Sequence, residues 1–198
     1  DQVPVSVIIA NYNSGHYLND CIRSINSGLW PLEIVLVDDA SIDDSLALAK
    51  QLATEFSNLR IIALPNNGGA AAARKIAIQE ARSEWIAIVD ADDCLEQGAV
   101  ATALQQALLE GSDICLWQLW RFDGNRQWPI LTLDVENFPI SGRKALVATL
   151  GKWNLHPLGV SKKALYASAY SGFNQTTFNA DELLTRLVFS RAGLISVC

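Results

Sequence analysis

Short apolar, β-favouring runs punctuate the first half of the chain: VSVIIA at 5–10, EIVLVDD at 33–39, LRIIAL at 59–64, WIAIVDADD at 85–93 and DICLWQL at 113–119. Runs this continuously apolar belong to strands covered on both faces, and so to a parallel sheet. Helical spacing fills the intervals. Tyr17, Leu18, Cys21, Ile22 and Ile25 share one helical face, and Ser41 with Asp44 forms a capping-box-like start to a helix carrying Leu46, Ala49, Leu52 and Phe56. The third helix is the alanine-rich GGAAAARKIAIQEAR at 68–82. Beyond about Leu119 the alternation fades into the tryptophan-containing RFDGNRQWPILTLDVENFPI, read as loop-rich, with helices expected from Ser141, near Ser161 and over 180–193. No internal repeat or low-complexity linker divides the chain. The expectation is one α/β domain over 1–198, a doubly wound, mostly parallel central sheet flanked by helices, regular to residue 119 and irregular from 120 to 198.

In such a sheet, ligands bind beyond the carboxyl ends of the strands. Ala10, Asn11, Tyr12 and Asn13 end the first strand, Asp38 and Asp39 the second, and Asp90, Asp92 and Asp93 the fourth, so polar groups cluster there. Carboxylates crowded at the tip of an apolar strand repel one another unless something offsets their charge. Magnesium or manganese does so, taking one or two carboxylates and completing its shell with water and substrate phosphates. The alternative is that Asp92 and Asp93 cap a following helix. At the second strand end a carboxylate can accept from a base N–H or a ribose hydroxyl, or it can serve the turn ahead of Ser41; one of the two residues can do each.

Composition narrows the class. A net charge of -6 speaks against a nucleic-acid surface, which is normally basic. Cys21, Cys94, Cys115 and Cys198 lie far apart with no paired CxxC spacing, so neither a zinc knuckle nor a disulfide framework is expected, and a reducing cytoplasm fits. No run approaches the roughly 18 apolar residues of a membrane span, and DQVPVSVIIANYN lacks a basic leader, so a soluble domain without a signal peptide is expected. The absence of methionine and an end inside an apparent strand suggest a trimmed piece of a longer chain.

SVIIANYN, EIVLVDDAS, NNGGAAAARKIAI and EWIAIVDADD, in this order and spacing, resemble the family-two glycosyltransferases of GT-A fold over roughly residues 4–100. FNADELLTRLVFSRAG resembles the family's later acidic motif, with Ala180 where a glutamate usually stands and Asp181 and Arg186 in their places. The resemblance implies an inverting, metal-dependent transfer from a nucleotide-diphosphate sugar, with UDP favoured, to a glycan or lipid-linked acceptor in bacterial polysaccharide assembly. Peripheral association with the inner face of the plasma membrane goes with such an acceptor. It implies a nucleotide-sugar-binding half at 1–119 and an acceptor and base half at 120–198. It sets Ala10 and Tyr12 beside the base and Asp39 as acceptor from the base edge. Arg74 approaches the diphosphate, Asp90 the ribose or donor sugar, Asp92 the manganese or magnesium, with Asp93 able to replace either aspartate. Asp181 is the general base, needed opposite the leaving nucleotide to take the acceptor proton; alone, it reads as helix N-terminal charge. Lys75 replaces a common asparagine.

His156 before Pro157 reads more readily as structural than as a ligand, and Trp117, Trp120, Trp128 and Trp153 more readily as core than as sugar platforms. A phospho-acceptor receiver would need its acidic pair after strand one, where ANYN stands. A nicotinamide dehydrogenase would need GxGxxG there, whereas NNGGAAAAR follows strand three. A non-catalytic nucleotide-sugar-binding module of a larger synthase is the remaining alternative.

Overall fold

The structure, a computed structural model, describes residues 4–26, 32–131, 133, 135–150, 155–171 and 180–198. The first four strands are β1 (Val5–Asn11), β2 (Leu32–Asp38), β3 (Leu59–Ala63) and β4 (Trp85–Ile88), joined by helices α1 (Gly15–Ile25), α2 (Ser45–Glu55) and α3 (Ala70–Glu80). After α4 (Ala99–Glu110) come β5 (Ile114–Leu116), a hairpin of β6 (Leu119–Phe122) and β7 (Gln127–Leu131), β8 (Ile140–Ser141) and α5 (Gly142–Thr149). The chain continues with β9 (Gly159–Lys162), α6 (Lys163–Ser171), α7 (Ala180–Arg191) and β10 (Leu194–Val197).

Eight strands form one sheet in the order β3-β2-β1-β4-β9-β5-β10-β8. β1 runs parallel to both β2 and β4, and β2 parallel to β3. Alternating side chains send the apolar runs to opposite faces. On one face Ile8, Val35, Val37, Ile86 and Ile88 pack with residues of α3, α6 and α7; on the other Val7, Ile9, Ile34, Leu36 and Ala87 pack with α1 and α4. Covering both faces is why these strands read as unbroken apolar runs.

The second half departs from the expected parallel pattern. β9 pairs antiparallel with both β4 and β5, so the residues near Ser161 form a strand before the helix that follows at Lys163. Its first residue fits between β4 and β5 because it has no side chain: a Cβ on Gly159 would overlap the Cys115 carbonyl oxygen. The stretch read as loop-rich contains the β6–β7 hairpin, turned by Asp123, whose carboxylate accepts from the Asn125 and Arg126 amides at 3.0 and 2.8 Å. Strand pairing there was hidden because both hairpin faces are exposed and no period-two apolar alternation marks them. Ser141 caps α5 as expected, accepting from the Lys144 amide at 3.2 Å. Tyr17, placed by spacing on the buried face of α1, is 58% exposed, since it lies in the first turn of α1, ahead of the buried Cys21, Ile22 and Ile25. No helix among the described residues is long and apolar enough to cross a membrane, and the four cysteines are free thiols.

At the opposite, amino-terminal edge, Glu33 is a buried carboxylate. It accepts from Ser6 Oγ at 2.7 Å, the Arg82 amide at 3.0 Å and Arg60 Nη2 at 3.2 Å. Burial raises its pKa, but the bonds from Ser6, Arg82 and Arg60 outweigh that and hold it below the ordinary 4.5. A carboxylate depressed in the folded state stabilises the fold above its unfolded pKa, and that contribution is lost as pH falls through the folded value. Glu33→Gln presents an NH2 to surrounding donors, so it should cost about 1–3 kcal/mol at pH 7. The deficit against the parent should shrink as pH falls below the ordinary 4.5. Calorimetric melting of both proteins across pH checks this; a deficit independent of pH would remove the ionised carboxylate from the account.

Candidate active site at the carboxyl edge of the sheet

The ends of β1 and β2 are stitched together before any ligand arrives. Asn11 Nδ2 donates to Asp38 Oδ1 at 2.7 Å and to Ser41 Oγ at 3.1 Å, while Ser41 Oγ donates to Asp38 Oδ1 at 2.6 Å. Ser41 Oγ also receives the Asn13 amide at 3.0 Å. Ser41 is therefore a latch between two strand ends and does not cap α2, which begins at Ser45 with no side-chain cap bond. The sequence carries a partial signal for this: Asn13 sits at φ 55, a left-handed conformation that asparagine tolerates. Ala40 is also left-handed, at φ 59, a strain that the surrounding bonds must hold.

Of the neighbouring aspartates, Asp38 is the turn residue. Asp39 is nearly enclosed and has each oxygen on an amide of the NNGG loop, Gly68 N at 2.8 Å and Gly69 N at 2.7 Å. Gly69, at φ 85, is the N-cap of α3, so a negative charge meets the positive end of that helix. Each carboxylate oxygen keeps a second lone pair. Ala10 is half-buried in register with Val37, and Tyr12, 47% exposed, stands at the rim beside them.

β4 ends at Ile88, and residues 89–98 form a loop ahead of α4, whose N-cap is Gly98. Asp92 and Asp93 therefore do not cap a helix. Both are exposed, and neither carboxylate has a hydrogen-bonding or ionic partner among the described residues. The loop folds back through the Asp93 amide onto the Asp90 carbonyl at 3.0 Å. Burial, then the charges of Asp90 and Asp92, push the Asp93 carboxyl above its ordinary value. Two unpaired carboxylates that repel each other match the donor set of a magnesium or manganese ion that draws the rest of its shell from water and phosphate. No group of three or more such ligands is assembled among the described residues.

Asp90 is differently occupied. Arg74, on α3, reaches Asp90 Oδ1 through Nη2 at 2.5 Å and Asp181 Oδ1 through Nη1 at 2.9 Å. One guanidinium thus joins the loop after β4 to the first turn of α7, whose Asp181 lies 107 residues beyond Arg74 in sequence. Burial works against the charge of Arg74, but Asp90 and Asp181 outweigh it and hold its pKa above the ordinary value. Tyr170 on α6 completes the surroundings: burial and the Asp181 charge push its hydroxyl up to about 12 against the opposing pull of Arg74. Nothing in the sequence singled out Tyr170, because a tyrosine in a helix usually reads as core.

The other flagged residues have plainer settings. Arg186 pairs with Glu182 at 2.5 Å and donates to the Thr149 carbonyl at 3.1 Å, tying α7 to α5. Lys75 is half-buried with no side-chain partner among the described residues. His156 is half-buried, and burial lowers its pKa. Trp117 is core, donating from Nε1 to the Ala99 carbonyl at 3.3 Å, whereas Trp120 and Trp128 are exposed on the hairpin. Trp153 lies outside the described residues. An apolar hollow between α1 and α4, lined by Ile25, Leu32, Leu95 and Val100, includes none of these aspartates in its lining; the open carboxyl edge, where the chemistry converges, is the candidate site.

Known proteins agree with this reading of the fold. A glycosyltransferase of Streptococcus pneumoniae, GlyG, is 32% identical over 120 residues, covering 60% of this chain and 40% of that protein. The cholesterol galactosyltransferase of Borreliella burgdorferi is 30% identical over 166 residues, covering 76% and 44%. The chain thus spans less than half the length of either relative. Among solved structures, Staphylococcus aureus TarS 1-349 in complex with UDP-GlcNAc superposes with a TM-score of 0.81 at 24% identity, over 98% of this chain and 56% of that one. A mannosyltransferase of Pyrobaculum calidifontis, solved with GDP-Man and Mn2+, gives 0.69 at 20% identity, over 98% and 54%. The architecture is the GT-A fold. The family model described as "Glycosyl transferase family 2" matches residues 6–159, and the chain belongs to that family.

Proposed function

We propose that this chain is the nucleotide-sugar-binding and catalytic domain of an inverting glycosyltransferase, moving a sugar from a UDP-linked donor onto a glycan or lipid-linked acceptor, with peripheral membrane association where the acceptor is lipid-linked. The observation that supports this most is the meeting of Asp181 with Arg74 and Asp90, which sets a lone acidic group from the second half of the chain, 120–198, beside the carboxylates of the first, 1–119.

Asp181 acts as the general base. Its carboxylate takes the proton of the acceptor hydroxyl as that oxygen attacks the anomeric carbon from the side opposite the nucleotide. The bond from that carbon to the diphosphate oxygen breaks, its electron pair leaves with UDP, and configuration inverts. Tyr12 flanks the base, the Ala10 backbone borders it, and Asp39 accepts the uracil N3–H through a lone pair that Gly68 and Gly69 leave free. Asp92, with Asp93 beside it, holds manganese or magnesium, since Asp90 is already paired with Arg74. A bound cation supplies charge neutralisation at the departing diphosphate. The hydrogens of Arg74 Nη1 and Nη2 not used by Asp90 and Asp181 would add to the charge that holds the same diphosphate. The fold shared with TarS, solved with UDP-GlcNAc, and with a mannosyltransferase solved with Mn2+ supports the choice of donor and metal.

Three outcomes test this. Titration calorimetry of UDP should show affinity that collapses on chelation and returns with manganese, and Asp92→Asn should weaken it more than Asp90→Asn. Equal affinity after thorough chelation removes the metal from the reading. UDP should bind more tightly than CDP, because cytosine lacks the N3 donor, and Asp39→Ala should narrow that preference; a variant that discriminates like the parent returns Asp39 to a purely structural role. Asp181→Asn should leave UDP and manganese affinity nearly intact while lowering turnover roughly 10²-fold or more, the usual contribution of a positioned proton acceptor. Near-normal turnover by that variant would sink the assignment, and absence of turnover in the parent alongside tight UDP binding would favour the non-catalytic module.

A further inference from the structure

We infer that Arg74 is a positioning residue for Asp181: its guanidinium fixes the carboxylate that takes the acceptor proton in register with the Asp90 side of the donor site. The inference rests on the reading of Asp181 as the base. Asp181 needs such a partner. It sits in the first turn of α7 with its side chain 67% exposed, and no hydrogen bond or ion pair other than that from Arg74 holds its carboxylate among the described residues. Its neighbour Glu182 is committed elsewhere, to Arg186 one turn along the same helix. An exposed, singly held carboxylate would sample several rotamers, and a base displaced by an ångström costs on the order of 10²-fold in rate.

Arg74 is suited to the task by its own restraint. It is 15% exposed, grows from the interior of α3, and is anchored on its other side by Asp90 at 2.5 Å. The planar fork transmits that anchoring: once Nη2 is bound to Asp90, the position of Nη1 is set, and with it the place where Asp181 Oδ1 is received. Arg74 Nε is buried without a partner, so the fork is held from its two ends alone. Tyr170 on α6 is buried, and its hydroxyl feels the charges of both Arg74 and Asp181. A residue serving only the diphosphate would have no reason to spend an N–H on a carboxylate of α7.

The test separates this role from a direct diphosphate contact. Turnover is read as UDP released from UDP-N-acetylglucosamine with water as acceptor, at saturating donor and manganese, and UDP affinity is read by calorimetry. Four proteins are compared: the parent, Arg74→Ala, Asp181→Asn and the double variant, with Arg74→Lys as a folding control that keeps the charge but loses the fork. Arg74→Ala and Arg74→Lys should each lower kcat by roughly 10²-fold. In the Asp181→Asn background Arg74→Ala should lower kcat by less than about tenfold, the share left to a diphosphate contact, because residues that act as a unit are not additive. Added guanidinium should raise kcat of Arg74→Ala and leave the double variant unmoved. Losses that multiply in the double variant, or a loss confined to UDP affinity with kcat unchanged, overturn the inference and leave Arg74 as a diphosphate contact. Near-normal turnover by Asp181→Asn alone overturns the reading of the base, and this inference with it.

Discussion

Negative charge gathered at one edge of an apolar sheet is the constraint from which the rest of this molecule follows. β1, β2 and β4 are enclosed on both faces, so their polar groups emerge mainly at the ends, and Asp38, Asp39, Asp90, Asp92 and Asp93 all lie at or after the carboxyl ends of strands, where Arg74 also draws in Asp181. Each is answered differently. Asp38 is absorbed by Asn11 and Ser41, Asp39 by two backbone amides, and Asp90 and Asp181 by one arginine. Asp92 and Asp93 are left with each other. Like charges in that condition favour whatever cation can join them, which makes the loop after β4 the place where an external charge is most welcome.

The same edge also receives a carboxylate from the second half of the chain. The first half builds the parallel part of the sheet from consecutive strand–helix units, and its carboxylates Asp38, Asp39 and Asp90 already have partners there, while Asp92 and Asp93 have none among the described residues. Asp181 arrives from α7, and the sheet brings it there indirectly: β9 is inserted antiparallel beside β4, α6 follows it, and α7 packs on the same face as α3 and α6. The Gly159 contact with Cys115 that lets β9 enter the sheet therefore bears on the position of a residue far from it in the chain.

What could be read from the sequence follows the same division. The strand ends at Ala10, Asp39 and Asp90 were legible because local signals agree there: an apolar run, then a polar tip, then a helical period, each confined to a few neighbouring residues. The latch role of Ser41 was not legible, since a serine three residues ahead of an aspartate fits a helix cap equally well, and only the approach of Asn11 from another strand decides between them. Helix capping was the alternative for Asp92 and Asp93, and the start of α4 after Gly98 removes it. β9 was hidden because its pairing is long-range and its sequence, GVSK, is too short to display a period. The Arg74 and Asp181 contact joins residues whose spacing carries no information, so only the folded chain brings them together.

The β6–β7 hairpin has an optical consequence. Trp120 and Trp128 stand exposed on it, at 55% and 41%, while Trp117 is enclosed in the core and Trp85 is half-buried. Indole emission shifts to the red in water, so excitation near the red edge of the tryptophan band weights the hairpin over the sheet. A water-borne quencher such as iodide reaches those two rings before it reaches Trp117. Among the described tryptophans, Trp120 and Trp128 are thus the two whose emission responds to what touches the hairpin, without any attached label.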